Sequence, residues 1–460
     1  MHVKRCLDQH AHARRFAMRK KYRSSSIAAV LLPLAALFTL AGAGPPSIRW
    51  DRTIEVARGG GEKGPWRQND SRYDYVDDAS VAIGPNGEFD VVWVDQGRKD
   101  VLFQAIRENG LPKAAPVDLS RNRATFSWLP RIVTMPGAPD RIFVLWQEII
   151  FSGGSHGGEI LFSRSEDGGA SFSEPINLSN SRGGDGKGRL DRETWSNGSL
   201  DLAAAPDGTL FAAWTEYDGM LWLARSVNGG MSFSRPRQVA GEPGLPARAP
   251  SLATGPGRTV YLAWTVGEDP HADIHVAQSD DAGLSFHRPW LVGAGPGHAD
   301  APRLAVDQRG VLHLVYAESA NGTRGPYRIR YTRSSGGAAK FEVPITLPVL
   351  PHHDDAGAAY PELALDAQGR LYVTWEVFPD PAGRARGLGI TFSADNGNSF
   401  APPMLVPGSR DAGGGTNGSH QGLLGKKLAV SPSGRIAVAN SSLKQDERSR
   451  VWLMRGQIVR

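Results

Sequence analysis

Short runs in which apolar and polar residues alternate recur along the chain from about residue 79. In residues 361–375, PELALDAQGRLYVTW, the apolar side chains of Leu371, Val373 and Trp375 fall at every second position, which is the period of a β-strand. Turn sequences such as Pro206-Asp207-Gly208 lie between such runs and supply the positive φ angle that a tight hairpin needs. The pattern therefore predicts many short strands joined by tight turns, and it does not favour long helices.

This two-strand unit is repeated with a nearly constant length. In five copies 14 positions separate the first residue from the aromatic residue that ends the second strand: Ala79–Trp93, Leu200–Trp214, Pro250–Trp264, Pro302–Tyr316 and Pro361–Trp375. Two further copies differ slightly, since Pro130–Trp146 has a longer turn and Lys426–Asn440 lacks the aromatic residue. A third and a fourth strand follow each unit, except that the last copy ends after its third strand. Seven repeats of this kind predict a β-propeller.

The turn between the third and fourth strands carries a shared motif. Four copies fit Ser-x-Asp/Asn-x-Gly-x-Ser-Phe: SEDGGASF (165–172), SVNGGMSF (226–233), SDDAGLSF (279–286) and SADNGNSF (393–400). We expect the Asp or Asn to accept hydrogen bonds from turn amides, the Gly to adopt a conformation barred to other residues, and the Phe to fill the blade. A metal-binding or catalytic role for these Asp residues is the alternative.

The missing fourth strand of the last copy has a candidate near the N-terminus. An aliphatic residue falls six positions after each motif Phe, at Leu178, Val239, Val292 and Val406, and Val56 follows Trp50 at the same interval. We therefore predict that residues 47–57 complete the last blade, which would leave no open sheet edge.

The four turn motifs resemble the Asp-box, or BNR, repeat of the sialidase-like superfamily, and the resemblance covers about residues 47–460. Together with the phasing it implies an all-β, seven-bladed β-propeller with Asp-box turns, closed by its N-terminal strand. The expected blades are residues 79–120, 128–180, 195–240, 248–293, 300–350, 359–407, and 419–460 with 47–57. Catalytic domains of true sialidases have six blades, so the predicted count departs from that family.

The strands of a blade alternate in direction, so the motif turns lie on one face. The loops between second and third strands and the connections between blades lie on the other, called here the long-loop face. These loops are longer and more varied, which is typical of a functional face. The residue at the start of each innermost strand is polar in all seven repeats. We expect these seven side chains to lie close together at the mouth of the channel on this face: Ser80, Arg131, Asp201, Ser251, Arg303, Glu362 and Lys427.

The resemblance implies where a catalytic site would lie. Sialidases bind the substrate carboxylate with arginines at comparable strand starts, and they use a Tyr–Glu nucleophilic pair with an Asp acid/base residue. In this chain Arg131 and Arg303 are the candidate arginines. Tyr360 and Glu362, two positions apart on one strand, are the candidate nucleophilic pair. The match is partial, because the third arginine is missing and the acid/base candidates are not distinguished: Asp201, Asp218 and Asp300.

Four residues are predicted to bind substrate: Asp201, Lys427, Trp128 and Trp195. The two tryptophans lie on connections of the long-loop face, where they would either stack on a sugar or plug the space between blades. The seven polar residues at the starts of the innermost strands have a second interpretation, in which they form a self-neutralising network that lines a solvated channel. The sequence His352-His353-Asp354-Asp355 is metal-like in composition, but a loop cluster without partners is a weak signal, and we predict no metal and no cofactor.

The charge of the chain adds one conclusion, which is that a nucleic-acid-binding surface is not expected. The formal net charge is +5, but residues 1–43 contain eight basic residues and one acidic residue. The remainder has 44 basic and 46 acidic residues, which excludes a phosphate-tracking surface for nucleic acid. The single cysteine, Cys6, lies in the same N-terminal segment, so no disulfide is expected in the exported chain.

Residues 1–43 are predicted to be a secretory signal peptide, with Met18 as a possible start. A basic stretch ends at Arg23, an apolar run covers residues 27–40, and Ala41-Gly42-Ala43 offers small residues for cleavage. An uncleaved anchor is the alternative, although the run is short for a membrane span and contains Pro33. The sequence thus predicts an exported protein, periplasmic or secreted, with residues 44–460 as one propeller domain and no stable membrane insertion after cleavage.

Two functions follow as hypotheses. The first is an exo-acting glycoside hydrolase that acts on sialic acid or a related acidic sugar at the face opposite the motif turns. The second is a non-catalytic module that binds a glycan or an envelope protein. The partial catalytic pattern leaves both open.

Overall fold

The computed structural model describes residues 46–459 except 66, 68, 85, 150–157, 181–186, 190–194, 198–199, 217, 243, 269–270, 294–296, 335–339, 351–356, 381–382 and 418–425. Pro46–Val459 form one compact unit. The predicted signal peptide and the His352-His353-Asp354-Asp355 sequence lie outside the described residues. Among the residues that are described, no helix has the length and apolar character needed to cross a membrane.

The described part of the chain is all-β, and its one helix is a short 3-10 turn at Gly322–Arg324. Four antiparallel sheets have four strands each, in chain order from the innermost strand outward. Sheet 1 contains Val76–Ile83, Phe89–Asp95, Asp100–Ile106 and Val117–Asp118. Sheet 2 contains Ser127–Met135, Ala138–Glu148, Glu159–Ser165 and Ile176–Asn177. Sheet 3 contains Leu200–Ala204, Leu210–Thr215, Leu221–Ser226 and Arg237–Ala240. Sheet 5 contains Gly357–Leu365, Leu371–Phe378, Leu388–Ser393 and Met404–Leu405.

Sheet 4 has eight strands in two sets of four. The first set is Ala247–Thr254, Val260–Glu268, His271–Ser279 and Trp290–Val292, and the second is His298–Val306, Leu312–Ser319, Arg328–Ser334 and Ile345–Thr346. A single parallel bridge between Ala272 and His298 joins the two sets. Two small ribbons lie outside the sheets: Glu62–Lys63 with Tyr73–Asp74, and Lys187–Arg189 with Trp195–Asn197.

Sheet 6 combines both ends of the described chain. Its C-terminal strands are Thr416–Asn417, Leu428–Val430, Arg435–Lys444 and Arg448–Val459. Ser47–Trp50 pairs with Arg448–Val459 from Ser47↔Val459 to Trp50↔Gly456, and Ile54–Gly59 pairs with the same strand from Ile54↔Leu453 to Gly59↔Ser449. The N-terminal strands therefore form the outer edge of this sheet.

The sheets are arranged like the blades of a β-propeller around a channel. Each innermost strand contacts the innermost strand of the next blade-like set along the chain. The innermost strand of sheet 6, Leu428–Val430, contacts the innermost strand of sheet 1, Val76–Ile83. At this last contact Val81 N donates to Lys426 O at 3.1 Å. The repeat aromatics predicted from sequence are all buried between sheets and fill the core: Trp93, Trp146, Trp214, Trp264, Tyr316 and Trp375.

The four motif turns share one hydrogen-bond pattern. In residues 165–172 the Asp167 carboxylate accepts from Ser165 Oγ at 2.8 Å and from Ser171 N at 2.9 Å, and Gly169 N donates to Ser165 Oγ at 2.9 Å. The motif Phe packs on the preceding sheet, as Phe172 does on Phe103 with ring centroids 5.0 Å apart. A Cβ at Gly169 would overlap that same Phe103 ring, and its φ of 84° also requires glycine. The turn-forming role predicted for the motif Asp residues is therefore confirmed.

A β-bulge recurs at the start of five innermost strands. In sheet 5 the pairing shifts between Ala359↔Glu376 and Glu362↔Thr374, so two residues lie opposite the single buried Trp375. The first of the two, Tyr360, has a positive φ of 52°, which is uncommon for a residue other than glycine. The equivalent residues in the other four strands also have positive φ: Asp78, Leu129, Ala249 and Ala301. The bulge reverses which side chains face the channel on its two sides.

The turn pattern can be tested at Asp281. Its carboxylate accepts from the Ser285 hydroxyl at 2.5 Å, from Ser285 N at 2.8 Å and from Ser279 Oγ at 2.7 Å, and these bonds lower its pKa below the ordinary value. Because a net hydrogen bond contributes about 1 kcal/mol, we expect Asp281→Ala to lower the free energy of unfolding by roughly 1–3 kcal/mol. Chemical denaturation measures this loss.

Asp281→Asn is the matched control. Asn228 already makes the same turn, since its Oδ1 accepts from Ser232 N at 3.1 Å and its Nδ2 donates to Ser232 Oγ at 2.9 Å. The Asn variant should therefore keep most of the stability. An equal loss in both variants would contradict the assignment of these hydrogen bonds as the reason for the motif.

Candidate functional site

The polar side chains at the starts of the innermost strands come together in one channel. The channel has a cavity volume of about 350 Å³, and its lining includes Arg131, Asp201, Ser251, Arg303 and Glu362. Each residue comes from a different set of strands. The structure thus brings together five residues that the sequence aligned.

The lysine that belongs to this set is Lys426 and not Lys427. Lys427 Nζ forms an ion pair with Glu376 and donates to Asn440 Oδ1 at 3.1 Å, whereas Lys426 lines the channel. Neighbouring residues of an extended strand point to opposite sides, so only one of the two lysines reaches the channel. The prediction of Lys427 as a channel residue that binds substrate is wrong. We call the corrected set the channel ring: Ser80, Arg131, Asp201, Ser251, Arg303, Glu362 and Lys426.

The channel ring is held by contacts among its own members and their neighbours. Arg303 Nε donates to Glu362 Oε1 at 2.8 Å, and both side chains are buried. Asp201 accepts from Leu202 N at 2.9 Å and from Leu252 N, on the next innermost strand, at 2.7 Å. These contacts support the interpretation of the ring as a network that neutralises much of its own charge.

Burial changes the pKa values of the cations in the channel ring. It lowers the pKa of Arg131 to about 10, and the nearby positive charge of Arg303 acts in the same direction. It also lowers the pKa of Lys426. For Arg303 the effect of burial is outweighed by the charges of Glu362 and Asp201, and the pKa is raised. The carboxylates of the ring are thus most strongly engaged with Arg303.

The cavity extends from the channel ring toward the C-terminal ends of the innermost strands. Its lining continues in that direction through partly exposed residues such as Ala204, Thr254 and Val306, whereas Leu129 and Ala249, which precede the ring, are buried. Those C-terminal ends lead into the Gly turns, on the same face as the motif turns. Among the described residues, the ring therefore lies at the end of the cavity nearer the long loops, and the cavity extends away from them.

Tyr360 and Glu362 do not share a site. Glu362 pairs with Arg303 in the channel, whereas the Tyr360 ring lies against Ala249 and Ala301 and 6.3 Å from the Phe378 ring. Burial raises the pKa of Tyr360, and the charges nearest to it are those of Asp300, Glu376 and Arg248. The bulge is the reason, because Tyr360 is its first residue, with a positive φ, and so does not point the same way as Glu362, which follows the bulge. The predicted Tyr360–Glu362 nucleophilic pair is not formed.

A second polar cluster lies at the opposite end of the innermost strands, on the long-loop face. Arg248 Nη2 lies 3.1 Å from His298 Nε2, and His298 Nδ1 lies 3.0 Å from the Tyr327 hydroxyl. Arg248 Nε also lies 3.6 Å from Asp300 Oδ1, which accepts from Thr265 Oγ1 at 2.9 Å. We call Arg248, His298, Asp300 and Tyr327 the Tyr327 relay. Arg248 and His298 are fully buried and Tyr327 is partly exposed, so the relay runs from the interior to the surface.

The partners of His298 assign the position of its proton. A guanidinium group donates hydrogen bonds and does not accept them, so His298 Nε2 accepts from Arg248. The neutral imidazole then carries its proton on Nδ1 and donates it to the Tyr327 oxygen. This donation stabilises a Tyr327 phenolate, and it directs the phenolic O–H toward a group other than His298. The Tyr327 oxygen is therefore the acceptor at the outer end of the relay.

Asp300 fixes the inner end of the relay. Burial raises the pKa of Asp300, but the charge of Arg248 and the hydrogen bonds from Ala301 N and Thr265 Oγ1 outweigh it, so the pKa is lowered overall. Asp300 therefore stays ionised and keeps Arg248 in place. The other two acid/base candidates lie outside the relay, since Asp201 binds backbone amides in the channel and Asp218 accepts from Met220 N in an exposed turn.

The two tryptophans predicted to bind substrate have different outcomes. Trp128 is 1% exposed and stacks on Phe126 with ring centroids 6.3 Å apart. It therefore plugs the space between sheets, and the prediction that it contacts a sugar is wrong. Trp195 lies in the strand Trp195–Asn197, and its side chain is outside the described residues. Among the His, Cys, Asp and Glu side chains that the structure describes, no group of three or more could hold a metal ion.

Sequence reasoning missed Arg248, His298 and Tyr327. Arg248 and Asp300 occupy the same place in two repeats, three positions before the channel-ring residues Ser251 and Arg303. An alignment of the residues upstream of the repeat proline would have shown this polar pair. Tyr327 lies in a loop of variable length and carries no repeat signal, so only its position in the fold identifies it.

No family model matches the chain, and no curated protein matches it. Solved structures do match. A polysaccharide lyase has a TM-score of 0.53 and 14% sequence identity, with 89% of this chain and 100% of that chain covered. An ulvan lyase of a new polysaccharide lyase family has a TM-score of 0.51 and 13% identity, with 87% of this chain and 95% of that chain covered. A Hadza microbial sialidase has a TM-score of 0.46 and 16% identity, with 81% and 74% covered. At these identities the similarity establishes the propeller fold and not a shared activity.

The Arg303–Glu362 pair gives a test of the channel ring. Removal of one partner leaves a buried charge with weaker compensation, so we expect Arg303→Met to lower the free energy of unfolding by about 3 kcal/mol. The double variant Arg303→Met/Glu362→Leu removes both charges and should recover most of that loss. Chemical denaturation of the two variants measures the difference. A double variant as unstable as the single one would contradict the pairing.

Proposed function

We propose that this chain is a carbohydrate-active enzyme that cleaves a glycosidic bond beside an acidic sugar at the long-loop face. The observation that carries the proposal is the Tyr327 relay, in which a partly exposed phenol receives a hydrogen bond from an imidazole whose tautomer is fixed by Arg248. A positioned group of this kind transfers protons in glycan cleavage, either to the departing oxygen or from the reacting sugar. The two polysaccharide lyases with TM-scores above 0.5 support a glycan as the substrate class.

The acidic character of the substrate is supported by two cations on the same face. Lys63 lies in the connection between sheets 6 and 1, and Arg384 lies in the second-to-third-strand loop of sheet 5. Burial, and to a smaller extent the positive charge of Arg384, lower the pKa of Lys63 to about 8 against the opposing effect of Asp77. A lysine whose charged form is disfavoured in this way gains from a bound carboxylate or sulfate. Sialic acid and uronic acids both meet this requirement.

We further propose that the propeller has seven blades and that residues 47–57 close the last one. Support comes from the pairing of Ser47–Trp50 and Ile54–Gly59 with Arg448–Val459. The contact between Leu428–Val430 and Val76–Ile83 supports the closed ring of innermost strands. Export to the periplasm or the medium remains part of the proposal on the strength of the N-terminal sequence, and N-terminal sequencing of the secreted protein should begin at Gly44.

A non-catalytic glycan- or protein-binding module is the second candidate. The observation that favours it is the pairing of Arg303 with Glu362 in the channel, because the residues that would match a sialidase site are engaged with each other. In this case the long-loop face would bind a glycan or an envelope protein without cleaving it.

Substitution of Tyr327 tests the enzyme hypothesis. The secreted protein is incubated with fluorogenic sialosides and with polyuronate and sulfated polysaccharides, and reducing ends and unsaturated products are measured. Unsaturated products indicate elimination, and their absence with new reducing ends indicates hydrolysis. We expect Tyr327→Phe to lower kcat about 100-fold or more because the proton-transfer group is lost, and His298→Gln to flatten the pH profile of the remaining activity.

Tyr331→Phe is the matched control, because Tyr331 also bonds a histidine, His313 Nδ1, at 2.9 Å, but away from the long loops. It should leave kcat unchanged. Cleavage that persists in Tyr327→Phe would contradict the relay as the active site. A wild-type protein that binds these glycans but cleaves none of them would favour the binding module.

Closure by the N-terminal strand is tested at Ile48. This side chain is 7% exposed and packs with Ile436, Val438 and Met454 of sheet 6. A buried charge at this position is costly, so Ile48→Asp should lower the free energy of unfolding by about 3 kcal/mol or more. Arg49→Asp, at the exposed neighbouring position, is the control and should change it by less than about 0.5 kcal/mol. Equal stability of both variants would contradict closure.

A further inference from the structure

A second cavity lies on the long-loop face, where sheet 5 leads into sheet 6. Its volume is about 250 Å³, and its described lining is Pro379, Arg386, Arg410, Asp411 and Gly415. Pro379 and Arg386 belong to the loop between the second and third strands of sheet 5, and the other three residues belong to the connection from sheet 5 to sheet 6. The cavity therefore shares a face with the Tyr327 relay but is built from other residues.

Hydrogen bonds hold the two sides of this cavity together. Asn417 N donates to Ala385 O at 2.9 Å, and Gly387 N donates to Asn417 Oδ1 at 2.9 Å. Arg410 Nε donates to Arg386 O at 3.3 Å. A Cβ at Gly387 would lie 2.8 Å from Arg410 Cγ, so a glycine at this position leaves room for the Arg410 side chain. The backbone of the two segments thus places the two arginines side by side.

The carboxylate in the described lining is engaged elsewhere. Asp411 accepts from Arg448 Nη2 at 3.1 Å, from Ser442 Oγ at 3.0 Å and from Gly413 N at 2.7 Å. Although burial raises the pKa of Asp411, these bonds outweigh it and the pKa is lowered overall. The Arg386 side chain is exposed, and within the described part of the chain its guanidinium has no hydrogen bond or ion pair. Arg386 therefore offers its donors to a ligand in the cavity.

The two segments around the cavity carry a surplus of positive charge. Residues 379–387 include Asp380, Arg384 and Arg386, and residues 406–417 include Arg410 and Asp411. Asp411 forms its ion pair with an arginine of the last strand, so the three arginines of these segments are left with one aspartate to balance them. The charge of the segments therefore favours an anionic ligand.

The cavity lies near the Tyr327 relay. Ala358 N donates to Tyr327 O at 2.9 Å, and the preceding residue, Gly357, pairs with Phe378, which directly precedes Pro379. Neighbouring extended segments are about 5 Å apart, so the cavity lies roughly 10 Å along the face from the Tyr327 backbone. A glycan chain bound at the relay can therefore reach the cavity with a sugar other than the one that reacts.

We propose that this cavity is a subsite for the acidic group, a carboxylate or a sulfate, of one sugar in an anionic glycan, and that Arg386 binds this group. The planar guanidinium can donate to two oxygens of such a group at once. The inference rests on the proposed function and adds to it that the substrate is acidic at a sugar away from the cleaved bond. Arg386 contributes to affinity and specificity and takes no part in proton transfer.

Binding measured in the absence of cleavage tests the subsite. Arg386→Gln is introduced into the Tyr327→Phe protein, and both proteins are titrated calorimetrically with oligogalacturonate, with sulfated dextran oligosaccharides and with neutral dextran. Because hydrogen bonds to a charged group are lost, the Kd for an acidic glycan should rise about 10-fold, whereas binding of neutral dextran should not change. Arg386→Lys keeps the charge without the planar fork and should give an intermediate Kd. A rise for only one acidic glycan identifies the bound group as a carboxylate or as a sulfate.

Arg258→Gln is the matched control, because Arg258 is an exposed arginine on the opposite face, where it donates to Asp281 O at 3.2 Å. It should leave every Kd unchanged. The subsite is overturned if Arg386→Gln binds both acidic glycans as tightly as Arg258→Gln does, or if the protein without either change binds neither of them. Binding that depends on Arg386 in a wild-type protein that cleaves no glycan would support the subsite and refute the proposed cleavage. Cleavage that depends on Tyr327, with no effect of Arg386→Gln on binding, would refute the subsite alone.

Discussion

Five innermost strands begin with two residues packed opposite one buried aromatic side chain, and the first of the two has a positive φ angle. This bulge determines which side chains reach the channel and which reach the long-loop face. Downstream of it, Arg131, Arg303 and Glu362 point into the channel. Upstream of it, Arg248 and Asp300 join the Tyr327 relay. Backbone strain of this kind, about 1–3 kcal/mol per residue, persists only where packing holds it, and it often marks functional sites.

The two polar clusters solve the problem of buried charge in different ways. In the channel ring, Arg303 pairs with Glu362, and Asp201 accepts from backbone amides of two neighbouring innermost strands. In the relay, Arg248 has both the Asp300 carboxylate and the His298 imidazole as partners, so its charge is compensated. The contact with Arg248 also fixes the direction of the hydrogen bond from His298 to Tyr327. The first arrangement is suited to holding strands together at the axis. The second is suited to moving a proton at the surface, which is why the proposed chemistry is assigned to Tyr327.

The sequence predicted the repeat far better than the site. The period of two, the buried aromatics from Trp93 to Trp375 and the motif turns follow from local rules, and the structure has them where they were expected. The polar ring was also found, apart from the exchange of Lys426 and Lys427. The bulge was not visible, because no glycine marks it and Tyr360 occupies a conformation that a sequence does not reveal. Without the bulge, Tyr360 and Glu362 look like one site.

The direction of the hydrogen bonds in the Tyr327 relay is the most direct test of the proposed proton transfer at Tyr327. Nitrogen NMR of the protein with ¹⁵N-labelled histidine, with the His298 signal assigned by its loss in His298→Gln, reports which ring nitrogen carries the proton. We expect a proton on Nδ1 and an unprotonated Nε2 facing Arg248. A proton on Nε2 would contradict this expectation, because Tyr327 would then have to donate to the imidazole and could not be held ready to exchange its proton with a substrate.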